Sequence, residues 1–215
     1  MAMTTNNADK IHYARIPKAH GGRAEMVRLV YVLAGKPYVD VIWPFEQALQ
    51  TGAKENPFRQ LPVVETPSGA YIYQTLAIMH HVAHGTPAWP SDPAQLTNAL
   101  TAAMGGYDLY QAFGAFPADD LVAKKKFEDK RAPQLMNGLG QIYASRPFAA
   151  GDAPTFADCI VEEAIAWCVR RNEACRQLFE SNAALVAFHA RFDAVPAVRA
   201  FRKRQAEARE KDDGV

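Results

Sequence analysis

Several groups of side chains in this chain have types and spacings suited to chemistry. In "NPFRQLPVVE", residues 56 to 65, Pro62 stands almost at the first residue of an apolar run that reads as a strand. Proline donates no backbone hydrogen bond and is normally excluded from strand interiors, so an edge strand is its plain explanation. Gln74 and Thr75 lie where "YIY" passes into "TLAIMHHVA". A helix start there presents unpaired N–H groups and partial positive charge, a ready site for an anion. A threonine at that point also caps its helix, and the two uses share one geometry. His80 and His84 fall on one helix face with His81 between them, but no acidic partner completes a zinc-peptidase pattern. No metal is expected. Cys168 and Cys175, seven apart, are expected to face one way on a single helix as packed, inert thiols. In "TFAD", Thr155 caps a helix start and Asp158 reaches back to the cap's N–H, a folding device.

The elements that must hold these groups come in two textures. "KIHYARI" reads as a strand, and "RAEMVRLVYVLAG" as a helix with an apolar stripe at Ala24, Val27, Tyr31 and Ala34 that stops at Gly35. "PYVDVIW" is a second strand and "FEQALQTGA" a short helix. "LPVVET", a turn at "PSGA" and "YIYQ" make a hairpin, and "TLAIMHHVAHG" closes this part as a helix. The order predicts a small mixed α/β sheet. "GTPAWPSDP" is proline-rich and reads as a linker. Beyond it, helix-period runs cover 94–113, 119–145, 155–170 and 183–210, and the tail "RKRQAEAREKDDGV" reads as a solvated last helix.

Composition excludes several classes. The 215 residues suit one or two domains, and 24 basic against 23 acidic residues give a net charge of +1. That balance offers no electrostatic case for nucleic acid or an anionic membrane. No apolar run approaches the length of a membrane span, and "MAMTTNNADK" lacks a signal peptide's apolar segment. Three cysteines without disulfide spacing fit a reduced, cytoplasmic setting. The expected partner is a small molecule or another protein.

An α/β half followed by an all-helical half, with "GRAEMVRLVYVLAGKPYVD", "PFRQLPVVE", "YQTLAIMHHVA" and "GDAPTFADCIVEEA" in that order, resembles the cytosolic glutathione transferases. The resemblance is nearest to their tyrosine-type branch, which includes the sigma and mu classes. It implies a thioredoxin-like glutathione-binding domain over 10–84, a linker over 85–92 and a helical bundle domain over 93–210. It further implies a cis Leu61–Pro62 bond and a Leu61 that offers its N–H and C=O to the cysteinyl unit of glutathione as an added strand. Gln74 and Thr75 would take the γ-glutamyl carboxylate, and Gln60 would be a further contact. Trp43 and Lys54 would meet the glycyl carboxylate, although Trp43 also fits a core position closing the second strand. Asp108 would reach across a homodimer interface to the partner's γ-glutamyl ammonium, or remain an exposed helix aspartate.

The same resemblance gives Tyr13 the task of holding the glutathione sulfur as a thiolate. Between Lys10 and Val30 it is the only residue with a hydroxyl, and no cysteine lies there. A free thiol ionises near pH ~8.5, and one charge-assisted hydrogen bond of about 1.5–3 kcal/mol lowers that by about one to two units. Activation therefore gains at most about thirtyfold in nucleophile, and the remaining rate must come from placing the electrophile. The segment "ARIPKAHG" after Tyr13 is longer than its family counterpart and brings Arg15, Lys18 or His20 into consideration near the sulfur. Met104, Tyr107, Tyr110 and Phe113 are candidates for a small apolar electrophile and equally for core packing. The expected activity is transfer of glutathione to such an electrophile. The alternatives are a glutathione-dependent isomerase or peroxidase, or a non-catalytic relative that binds ligands or serves structure.

Overall fold

The computed structural model describes residues 7–15, 21–117 and 119–212. The chain divides into two compact units, Met1–Trp89 and Pro90–Val215. The first holds strand β1 (Asp9–Ala14), helix α1 (Arg23–Ala34), β2 (Tyr38–Trp43), the single-turn α2 (Phe45–Gln47), β3 (Val63–Glu65), β4 (Tyr71–Tyr73) and α3 (Thr75–Ala83). Its sheet runs β2-β1-β3-β4. β1 lies parallel to β2, with Tyr13 opposite Ile42, and antiparallel to β3, with His12 opposite Val63. A tight turn closes the β3–β4 hairpin: Thr66 N–H donates to the Ala70 carbonyl at 2.8 Å, and Gly69 supplies a φ of 83°. The expected "FEQALQTGA" helix is only partly α: after α2 the chain widens into a π turn over Ala48–Gly52.

α1 is buried from Ala24 through Tyr31, so its apolar stripe has widened to most of its surface. Arg28 survives there because Nε donates to both Asp40 oxygens, at 2.9 and 3.1 Å, and Nη1 donates to Glu25 at 3.2 Å. Ion pairs of this kind make a buried cation tolerable. Gly35 ends α1 in the left-handed region, φ 65°, its N–H turned back to the Tyr31 and Val32 carbonyls.

The second unit is wholly helical: α4 (Pro93–Gly114), α5 (Leu121–Lys126), α6 (Ala132–Ser145), α7 (Phe156–Val169), α8 (Glu173–Ser181), α9 (Ala183–Ala194) and α10 (Pro196–Asp212). Asp92 caps α4 by accepting the Gln95 N–H at 2.8 Å, with Pro93 behind it in the first turn. α4 buries Ala99, Ala102, Ala103 and Gly106. A Cβ at Gly106 would meet the Val161 Cα at 3.1 Å, so small residues let α4 and α7 pack backbone to backbone.

Three helical readings change. The run 119–145 is not one helix, since a π turn over Phe127–Arg131 separates α5 from α6 just ahead of Pro133, which has no N–H for the ladder. The run 183–210 breaks at Val195, before Pro196. Between them α8 was not anticipated. It is nine residues long and starts at Asn172, whose side chain accepts the Cys175 N–H. Cys168 and Cys175 therefore stand on different helices, α7 and α8. Both are fully buried, and the hydrogen bond to Cys175, reinforced by burial, pushes the Cys168 thiol far up, so it stays protonated and inert. No helix among the described residues is long and apolar enough to cross a membrane.

Candidate functional site

In the α/β unit, a cleft of ≈ 190 Å³ is lined by Arg23, Asn56, Gln60, Leu61, Pro62, Gln74 and Thr75. One buried asparagine shapes its rim. Asn56 is 1% exposed and uses four polar groups. Its N–H donates to the Ala53 carbonyl (3.0 Å) and its carbonyl accepts the Arg59 N–H (2.9 Å). Its side-chain Oδ1 accepts the Phe58 N–H (2.9 Å) and Nδ2 donates to the Gln60 carbonyl (2.7 Å). Pro57 has no N–H to place, and Arg59 takes a left-handed φ of 50°. The chain then passes the Leu61–Pro62 peptide bond, which is cis. Neither the N–H nor the carbonyl of Leu61 bonds to any described residue.

Across the cleft the α3 N-terminus begins. Gln74 adopts φ 68° and ψ 124°, its carbonyl accepts the Ile78 N–H at 2.9 Å, and its side-chain amide stands 3.5 Å from the Gln60 side-chain oxygen. Thr75, the first residue of α3, is 4% exposed. The first turn of α3 holds no acidic residue, so the helix's positive end is not neutralised from within it. A free strand edge beside a helix N-terminus is complementary to a short extended peptide that carries a carboxylate.

Gln60, Leu61, Pro62, Gln74 and Thr75 thus come together as lining residues, while the other expected contacts do not line this cleft. Tyr13 is half-buried in β1. Trp43, at the end of β2, turns its indole N–H to His12 Nδ1 at 3.2 Å. It also covers Gly52, where a Cβ would lie 2.5 Å from the indole Cδ1. Because an indole only donates, His12 Nδ1 must accept, and its Nε2–H then donates to Glu65 Oε2 at 3.1 Å. Lys10 occupies the other Glu65 oxygen at 2.9 Å and holds that carboxyl below its ordinary range. Trp43 is half-buried in this arrangement. Lys54 is exposed, in the turn after the π segment. Asp108 is exposed on α4 and paired with Arg131 of its own unit at 3.0 Å. Arg15 is exposed, with its N–H on the Trp43 carbonyl at 2.7 Å; Lys18 and His20 fall outside the described residues.

Arg23 and Asn56 are lining residues that the sequence reading missed. For Asn56 a signal existed: an Asn-Pro pair before a strand marks a turn whose side chain bonds the backbone two residues on. In the helical unit Met104 is 51% exposed, while Tyr110 lies against Trp167 with ring centroids 5.4 Å apart. Phe113 joins Phe116 and Phe127 in an aromatic cluster. His80 lies tilted against His84, with the rings 50° apart, and meets Trp89 edge-on, each at 4.8 Å. Among the described residues, Glu162, His189 and Asp193 bring metal-type donor atoms within 4.8 Å of one another. Arg202 occupies that group, 2.7 Å from Glu162 and 2.6 Å from Asp193. A cation already sits where an ion would, so the group reads as an ion-pair clasp joining α7, α9 and α10.

Comparison with known proteins agrees with this architecture. Residues 107–205 match the family described as Glutathione S-transferase, C-terminal domain. Rat hPGDS complexed with a quinoline has 20% identity and a TM-score of 0.77, covering 92% of this chain and 96% of that one. A Pi-class glutathione S-transferase of Onchocerca volvulus has 19% identity and a TM-score of 0.78, with 94% and 95% covered. A glutathione transferase of Phanerochaete chrysosporium in complex with oxidized glutathione has 13% identity and a TM-score of 0.75, with 94% and 97% covered. No curated protein sequence matches the chain. The chain has the cytosolic glutathione transferase fold, a thioredoxin-like α/β unit followed by a helical unit, and over residues 107–205 the helical unit is similar to glutathione S-transferase C-terminal domains.

Proposed function

We propose that the protein binds glutathione in the cleft of its α/β unit and transfers the thiolate to a small apolar electrophile, as a tyrosine-type enzyme of the sigma/mu kind. The observation that carries this reading is the unbonded Leu61 edge set beside the α3 N-terminus. In it the cysteinyl unit pairs with Leu61 as an added strand. The γ-glutamyl carboxylate meets Thr75 and Gln74 at the positive helix end, with Gln60 and Pro62 closing the rim. Tyr13 donates the hydrogen bond that keeps the sulfur ionised, and Trp43 and Lys54 serve the glycyl end. That last role requires the Trp43 indole to leave His12 when ligand arrives. Asp108 is assigned to the partner's glutathione in a homodimer, exchanging Arg131 for an ammonium. Phe58, 60% exposed beside the cleft, is apolar surface that such an assembly would cover.

A second reading, a ligand-binding relative without turnover, is favoured by one observation: Trp43 and Asp108 are already engaged within the chain. Retention on immobilised glutathione followed by a spectrophotometric assay with a chlorinated aromatic acceptor separates the two. Binding with turnover supports the enzyme, and binding without turnover supports the second reading. No retention and no heat with millimolar glutathione would remove both.

A further inference from the structure

We infer that Asn56 is a positioning residue for glutathione, acting through the direction of the Leu61 N–H. The inference rests on the glutathione reading above and adds a residue to it.

The argument starts from the planar peptide unit. In a trans peptide the carbonyl oxygen and the following amide hydrogen lie on opposite sides of the C–N bond. The only cis bond among the described residues is Leu61–Pro62, so the Gln60–Leu61 unit is trans. Asn56 Nδ2 takes the Gln60 carbonyl at 2.7 Å. Fixing that oxygen against a 1%-exposed side chain aims the Leu61 N–H the other way, away from Asn56. That N–H has no partner among the described residues, which leaves it available to a peptide carbonyl of a bound strand. The aim is held firmly because the same residue also bonds the Phe58 and Arg59 amides, at 2.9 Å each. The segment from Phe58 to Gln60, including the left-handed Arg59, is thus tied to one side chain and its backbone. Neither Asn56 group is spare: Oδ1 and Nδ2 are both used, so an asparagine is required rather than a merely polar residue.

Two variants separate positioning from general loss of structure. Asn56→Asp is close to isosteric and keeps the acceptor for the Phe58 N–H, but it faces the Gln60 carbonyl with a second acceptor. Asn56→Ala removes both bonds. The probe is S-methylglutathione, measured by calorimetry, beside an analogue whose cysteinyl carbonyl is reduced to a methylene. Wild type should lose about tenfold in affinity between the two ligands, one hydrogen bond's worth. Both variants should bind S-methylglutathione about tenfold more weakly and should no longer discriminate the reduced analogue. With a thiol substrate, KM for glutathione should rise by a similar factor while kcat at saturation stays within about twofold. If folded Asn56→Asp binds both ligands as wild type does, the inference is overturned. It is overturned equally if the variant weakens both by the same factor and still discriminates, which is the mark of a loosened loop. Should Asn56→Ala fail to fold, the Asp variant alone decides. Wild type failing to bind S-methylglutathione at all would instead refute the glutathione reading, and that measurement is made first.

Discussion

Removing the Asp158 carboxylate should be among the most destabilising single changes in the helical unit. Asp158 is fully buried. One oxygen accepts the Tyr143 hydroxyl at 3.0 Å and the Ala149 N–H at 2.8 Å; the other accepts the Thr155 N–H at 2.7 Å and the Thr155 hydroxyl at 3.0 Å. From "TFAD" alone only the bonds to Thr155 are readable, and losing a cap costs about 1 kcal/mol. The structure adds Tyr143, from α6, and the Ala149 amide, both buried. Asp158→Ala therefore strands two amides and a phenol out of reach of water. At about 1–3 kcal/mol for each orphaned donor, with partial relief by an entering water, the loss should be roughly 3–5 kcal/mol. For a chain of this size that lowers Tm by on the order of 10 °C. Urea unfolding followed by far-ultraviolet circular dichroism measures it, with the slope checked for constancy because two units need not unfold together. Asp158→Asn should recover only part of the loss, since its amide opposes a donor on one side. A loss near 1 kcal/mol for Asp158→Ala would refute the reasoning and reduce Asp158 to its cap.

Tyr13→Phe should leave the calorimetric affinity for S-methylglutathione within about twofold and lower turnover about tenfold or more; an unchanged rate removes Tyr13 from the mechanism. The clasp at His189 predicts a pH dependence. Its hydrogen bond to Glu162 raises the His189 pKa against the opposing effect of burial. A raised folded pKa contributes stability that is complete below the unfolded value near ~6.5 and lost as pH rises through the folded value. Wild type should therefore melt higher at pH 6 than at pH 8.5, and His189→Gln should flatten that interval. Asp158 acts in the same direction at the lower end of that interval, because burial pushes it up to about 6, so the difference between wild type and His189→Gln, rather than the wild-type melt alone, isolates the clasp. Gly52→Ala should displace the Trp43 indole from His12, since the new Cβ would stand 2.5 Å from Cδ1. The cost should be about 1–3 kcal/mol, with a change in tryptophan emission; a silent substitution would mean that the π turn yields instead.

The fold was legible where one periodicity sufficed. β1, α1, β2 and the β3–β4 hairpin lie close to where alternation, a helical stripe and turn residues put them, because each carries its signal within its own residues. What escaped depended on context. α8 is amphipathic but only nine residues long, so its periodicity spans little more than two turns, and Asn172 marked its start. Pro133 was absorbed by a π turn that no local signal announces. At the site, Gln60, Leu61, Gln74 and Thr75 were readable because proline and a helix start constrain their own neighbours. Arg23 was not, because it reaches the cleft only through the placement of α1. The Trp43–His12–Glu65 line spans three strands, and no spacing in the sequence encodes it.

Backbone geometry bears on what the cleft is for. Among the described residues, the non-glycine positions with positive φ are Arg59, at 50°, and Gln74, at 68°. Gln74, with ψ 124°, lies outside even the small left-handed basin and costs on the order of 1–3 kcal/mol. Ordinary packing does not require either: the sheet hairpin and the end of α1 meet the same need with Gly69 and Gly35. Both costly residues instead flank the Leu61–Pro62 turn and the start of α3, the two ends of the strand-docking edge. A protein that kept this fold only as scaffold would lose nothing by relaxing them to glycine. Their concentration at one rim is the pattern expected where a rigid receptor for an extended ligand is held at a cost to stability.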